Sequence, residues 1–279
     1  MIGTEAGVRN DADPLPPVVT INAAGASPFL LVCDHASNRI PPRYGDLGLL
    51  PHQRLMHIAW DPGALAVAIR LSGLLDAPLI HSTVSRLIID CNRDHDAIDL
   101  IPVISERTEI PANIGLSQAE RDFRIASYHQ PFHVAIESAI EERLQAGMET
   151  ILVTVHSFTP TYKDVVRPWP IGLIHGVEER FSHALLAALQ AEDPELNVGW
   201  NQPYSARNGV TYTLEHHGDG RGLDCTMIEI RHDEILEPAG IDLWADRLAR
   251  TLERARGALA GLPGSLGQQT ASQPGGRNG

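Results

Sequence analysis

Short apolar runs alternate along the chain with longer stretches of helical spacing. Strands are expected at 29–33, 78–81, 86–91 (RLIIDC), 151–155 (ILVTV), 171–174 and 225–230 (CTMIEI). Unbroken apolar runs of this length suit strands that are covered on both faces. Helices are expected at 62–75, where Pro62 suits a first turn, and at 117–146, where Ser117 and Glu120 have capping-box spacing. Two more are expected at 178–191 and 239–259. Pro131 falls inside the second helix and should bend or interrupt it. Strands separated by helices predict an α/β domain with a mainly parallel sheet. Residues 1–20 and 264–279 are rich in Gly, Pro, Ser, Asn and Gln and read as mobile or disordered tails, leaving one domain over 21–263.

Composition narrows the class. The 279 residues carry 22 Lys and Arg against 35 Asp and Glu, a net charge of −13, which argues against nucleic acid as the main partner. The three cysteines, Cys33, Cys91 and Cys225, have no CxxC spacing and read as reduced thiols. The first residues show no signal peptide, and no apolar run reaches membrane-span length, so a cytoplasmic protein without a membrane partner is expected.

In sheets of this kind, ligands sit beyond the carboxyl ends of the strands. There the sequence places reactive side chains: His35 after FLLVCD, Asn92 and Arg93 after RLIIDC, His156 in VTVHS, and Glu229 and Arg231 in IEIRHD. Asp61 stands in AWDPGA, where it could equally cap a helix. Each histidine alone could be an ordinary strand-end residue. Glu229 is harder to dismiss, since a carboxylate in an apolar run needs a partner or a raised pKa. Two imidazoles and a carboxylate can hold zinc with one position left open. A further carboxylate can shuttle protons, and arginines can grip a substrate carboxylate or polarise a carbonyl.

Taken in order, CDHASNRIP, AWDPGA, SRLIIDCNRD, VTVHSFTP and MIEIRHD resemble the N-formylglutamate amidohydrolase family, in its broader branch, over roughly residues 28–250. The resemblance implies a three-layer α/β/α domain with a mixed, mainly parallel sheet of the phosphorylase/hydrolase-like kind, related to zinc carboxypeptidases and aspartoacylases. It implies hydrolysis of an N-acyl amino acid, such as N-formylglutamate, a small-molecule substrate. Zn2+ is the expected cofactor, although ligand types alone do not separate it from other divalent metals. His35 and His156 would be metal ligands and Glu229 the general acid/base. Asn92 and Arg93 would grip a substrate carboxylate, and Arg86 and Arg231 would take a second carboxylate or the carbonyl. The carboxypeptidase-like HxxE is replaced here by HxxN. Amide oxygen is a poor zinc ligand beside a carboxylate, so Asp61 is preferred as third ligand and Asn38 is given a substrate-facing role.

Other features carry less. NQPYSARNG (201–209) reads as a polar loop that either closes over substrate or is plain surface. His216 and His217, set among several glycines in LEHHGDGRG, read as a flexible loop. His129 and His133, four apart, could share a metal but have Pro131 between them. Two alternatives remain: a cysteine nucleophile, and a non-catalytic binding protein that keeps the pocket without the metal.

Overall fold

In the computed structural model, which describes residues 15–204 and 209–260, seven strands form one mixed sheet. They are β1 (Val18–Ile21), β2 (Phe29–Cys33), β3 (Leu79–Ser82), β6 (Ile151–Phe158), β9 (Ile171–Ile174), β10 (Val198–Trp200) and β11 (Asp224–Arg231). Two small hairpins, β4–β5 (Ile104–Ser105, Thr108–Glu109) and β7–β8 (Thr161–Tyr162, Val165–Val166), stand apart from it. The order is β1-β3-β2-β6-β11-β9-β10. Neighbours β3, β2, β6 and β11 run parallel, while β1 and β9 pair antiparallel with β3 and β11. Every residue of β2, β6 and β9 is buried, which explains why these strands are apolar without alternation.

Helices cover both faces. α1 (Ala64–Leu75), α4 (Arg180–Glu192) and α6 (Pro238–Ala260) share one apolar cluster with Leu31, Val153, Val155, Ile228 and Ile230. The opposite cluster joins Leu30, Leu152, Cys225 and Met227 to Phe132, Ile136 and Ile140 of α3 (Gln130–Gln145) and Leu214 of α5 (Tyr212–His217). Period-two alternation along β6 and β11 assigns each residue to one layer or the other. Among the described residues, no helix is long and apolar enough to cross a membrane.

The long expected helix, 117–146, is built in three pieces. Ser117 accepts the backbone N–H of Glu120 and starts α2 (Gln118–Arg124). A π-helical turn follows over Ile125–His129 and runs directly into α3, so the irregular turn lies just ahead of Pro131, which has no N–H to give to the preceding turn.

Several expectations are corrected. The run 86–91 is not a strand. Leu87, Ile88 and Ile89 fill a third apolar cluster with Leu47, Leu100 and Ile110, formed largely by loops. Its backbone is satisfied from elsewhere: Leu87 O accepts from Asn113, Ile88 O from Arg124, and the Asp90 N–H donates to Leu100 O. An apolar run shows burial, and burial does not require a ladder. Residues 18–21, mostly assigned to a tail, form β1 along the sheet edge. His216 and His217 lie on helix α5, with His217 buried, rather than in a flexible loop. Within 201–209, residues 205–208 lie outside the described residues, as do the C-terminal stretch 264–279 and residues 1–14.

Candidate metal-dependent active site

Three adjacent parallel strands, β2, β6 and β11, bring the site together. His35 follows β2 by two residues, and His156 and Glu229 are direct partners across β6 and β11. His156 shares a face with Leu152, and Glu229 with Cys225 and Met227, so both project toward the α3–α5 layer. Asp61 enters from the loop before α1. Its own N–H donates to His35 O at 2.9 Å. The cap of α1 is Gly63 at φ 83, where a Cβ would lie 2.4 Å from Ile235 O, so no other residue fits this turn without displacing backbone. Asp61 is therefore not the helix cap. Its carboxylate turns inward instead.

The geometry is convergent. His35 Nδ1 and His156 Nδ1 lie 3.3 and 2.9 Å from the same atom, Asp61 Oδ2, which also accepts the Ser157 N–H at 3.3 Å. The opposite nitrogens face carboxylates of their own. His35 Nε2 is 2.7 Å from Asp90 Oδ1, and His156 Nε2 is 3.1 Å from Asp34 Oδ2. The second contact is off the line of a good hydrogen bond, and neither atom has another hydrogen-bond partner. Arg86 spans Asp61 Oδ1 at 3.4 Å and Asp90 Oδ2 at 2.9 Å. Asp90 Oδ1 also accepts the Asn92 N–H.

Charge follows from these contacts. Burial would raise the Asp61 carboxyl, but the two imidazoles outweigh it and hold the group far below the usual carboxylate range. Asp90 is likewise pulled down, burial being overcome by Arg86 and His35. Asp34 also stays low, against burial, through His156, His35 and Thr213. Against burial, the acids raise His35 and raise His156 well above the ordinary imidazole value. A buried nest of anions thus draws positive charge onto its two imidazoles. The same nest suits a divalent cation: both Nδ1 atoms face Asp61, while both Nε2 atoms are backed by carboxylates that fix tautomer and orientation. Among the described residues, His35, Asp61 and His156 are also the buried group whose ligand atoms all lie within 4.8 Å of one another. A second such group, Asp94, His95 and Asp96, is exposed.

Glu229 completes the picture. Burial, partly offset by His156, lifts its carboxyl to about 7, and its Oε2 has no hydrogen-bond partner. Glu229, His35, Asp61 and His156 line a cavity of about 220 Å³ together with Arg86, Asn92, Arg93, His57, Glu106, Tyr162 and Tyr204.

The expected residues therefore divide. His35, Asp61, Arg86, Asn92, Arg93, His156 and Glu229 meet at one cavity. Asn38 and Arg231 do not line it. The Asn38 amide donates to Arg54 O, and Arg231 binds Asp233 at 2.7 Å and Glu234 at 3.0 Å. Arg231 is displaced because β11 ends there: it is the last residue of the strand, next to the turn that carries both acids. His129 and His133 do not converge on a metal. Their Nε2 atoms bond the carbonyls of Arg93 and Cys91. All three cysteines are free and buried, and burial pushes each thiol up, which removes the nucleophile reading. Sequence reasoning missed Asp34, Asp90, His57 and Tyr204. For the two aspartates a signal existed, since each ends an apolar run beside a residue already singled out.

Known proteins resemble the chain in sequence and in fold. The family model described as N-formylglutamate amidohydrolase matches residues 27–236. A crystal structure of a gene product from Agrobacterium tumefaciens is 41% identical with a TM-score of 0.85, and the alignment covers 88% of this chain and 96% of that one. The crystal structure of N-formylglutamate amidohydrolase from Ralstonia eutropha JMP134 shares the fold at 20% identity and a TM-score of 0.69, covering 89% and 100%. A metallo-carboxypeptidase from Burkholderia cenocepacia aligns with a TM-score of 0.35 at 10% identity over 89% and 66%, too slight a likeness to carry over any residue's role. No curated protein matches the chain. With the model spanning everything from the loop before β2 to the turn after β11, and so every residue that builds the cavity, the chain belongs to the N-formylglutamate amidohydrolase family.

Proposed function

We propose that the chain is a metal-dependent amidohydrolase that cleaves the N-acyl bond of an N-formyl amino acid, releasing formate and the free amino acid. One observation supports this above the rest: two imidazole Nδ1 atoms and a carboxylate converge in a buried nest of acids, beside a free carboxyl raised to about 7. His35, Asp61 and His156 are the proposed ligands, and zinc is the proposed ion. When bound, the ion supplies a Lewis acid that polarises the formyl carbonyl.

The remaining chemistry belongs to the chain. Glu229 takes a proton from the attacking water as oxygen bonds to the formyl carbon, then hands it to the amide nitrogen as the C–N bond breaks. A carboxyl raised toward neutrality suits both steps. Arg86, held in place by Asp61 and Asp90, sets fixed positive charge at the cavity wall where the carbonyl oxygen becomes negative. Arg93, its Nε on Asp99 Oδ2 at 3.0 Å, and Asn92 are the proposed anchors for the substrate carboxylate. Asp61 takes the place of the missing HxxE glutamate, so the altered motif no longer argues for a metal-free binding protein.

Metal analysis of the purified protein, with hydrolysis of N-formylglutamate and other N-formyl amino acids measured before and after chelation, tests the reading. Stoichiometric metal and chelator-sensitive release of formate are expected. Release of formate that survives complete metal removal would overturn it.

A further inference from the structure

Helix α5 lies beneath the site without lining the cavity, and one of its residues touches both halves of the machinery. The Thr213 hydroxyl donates to Asp34 Oδ1, and its backbone N–H donates to Asn92 Oδ1 at 3.0 Å. Thr213, Asp34 and His156 are all buried. The other carboxylate oxygen of Asp34 faces His156 Nε2 at 3.1 Å, and His156 Nδ1 faces Asp61.

We propose that Thr213 is a positioning residue for the metal centre, acting through Asp34 on His156. The hydroxyl occupies Oδ1 and so prevents the carboxylate from turning about its axis. Oδ2 then stays opposite His156 Nε2. An acceptor at that place keeps the imidazole proton on Nε2, which leaves the Nδ1 lone pair free for an ion beside Asp61. Were the carboxylate free to turn, the buried imidazole could place its proton on Nδ1, directed at Asp61, and block the ligand position.

Three contacts hold Thr213 in place. Asn92 Nδ2 donates to Val210 O at 2.7 Å just before α5, and Leu214 packs in the α3 cluster. At the end of the helix, His217 Nε2 lies 2.9 Å from His133 Nδ1.

The inference rests on the metal reading, and the experiment separates the two. Zinc affinity of the apoprotein is measured by competition with a chromophoric chelator, together with the visible spectrum of the cobalt-loaded form. Thr213→Val keeps the shape and the N–H to Asn92 but removes the hydroxyl, and is expected to weaken zinc about 10-fold or more. Thr213→Ser restores the donor and should bind within about threefold of wild type. KM at saturating metal should not change in either variant, because the backbone contact to Asn92 survives. Should Thr213→Val fail to fold, Asp34→Asn interrogates the same link from the other end and should weaken zinc comparably. Wild-type affinity in Thr213→Val or in Asp34→Asn overturns the proposal, as does a serine variant as weak as the valine one. Wild-type protein that takes up no metal overturns the metal reading and this inference together.

Discussion

Two sets of buried histidines lie near one another, and their surroundings give them opposite characters. His35 and His156 sit among Asp34, Asp61 and Asp90, with a carboxylate opposite every ring nitrogen. His133 and His217 sit among rings and carbonyls. The Nε2 of His133 donates to Cys91 O, so its Nδ1 accepts from His217 Nε2, and the His217 Nδ1 has no hydrogen-bond partner. Burial, reinforced by neighbouring histidines and only partly offset by Asp34, depresses both to about 3. Burial acts on all four rings. Anions decide which pair seeks positive charge and which pair serves as neutral packing and hydrogen-bond joinery.

The largest expected effect tests the acid-ringed set. Glu229→Gln should bind metal as before yet lose about 100- to 10,000-fold in kcat, the usual worth of a general base. Normal turnover with bound metal would remove Glu229 from its role. Next, Asp61→Asn should abolish stoichiometric metal, because it removes the atom on which both Nδ1 groups converge. Metal content by elemental analysis decides this.

The ring-packed pair should respond chiefly in stability. His133→Phe strands the Cys91 carbonyl and the His217 N–H, at a cost of about 1–3 kcal/mol, while metal content stays unchanged. Thermal melting beside metal analysis distinguishes the two outcomes. The pH dependence has a definite sign. His133 and His217 bind protons near pH 6.5 when unfolded but only near pH 3 when folded, so the unfolded chain binds more protons between those values. Their contribution is complete above about pH 6.5 and is lost progressively as pH falls toward 3. In denaturant titrations His133→Phe should flatten that slope; an unchanged slope would break the contrast. The smallest effect is expected from Arg231→Ala, whose partners are Asp233 and Glu234: KM should stay within about twofold, since these half-buried ion pairs lie outside the cavity lining.

Much of the sheet was legible because its strands are continuous apolar runs, and His35, His156 and Glu229 stood out as polar residues where such runs end. What escaped was set by distant chain segments. Asp90 meets His35 across 55 residues, and Thr213 meets Asp34 across 179, separations that no local pattern encodes. Asp61 had two plausible local roles, and only the left-handed turn at Gly63 shows that the cap lies elsewhere. The same limit explains 86–91, an apolar run whose pattern matches a strand although loop side chains and a buried arginine satisfy its backbone.

The proposed ligands also have a consequence for how the protein is made. His35 and Asp61 are 26 residues apart, and Asp61 and His156 are 95 apart, so the unfolded chain offers no neighbouring pair with which to catch an ion. Capture must wait until β2, the loop before α1 and β6 have docked, and an ion that then occupies the site clasps those three segments at once. Metal supply would thus act as a late checkpoint in biogenesis: finished molecules are retained in the folded population by binding, while incomplete ones gain nothing from it.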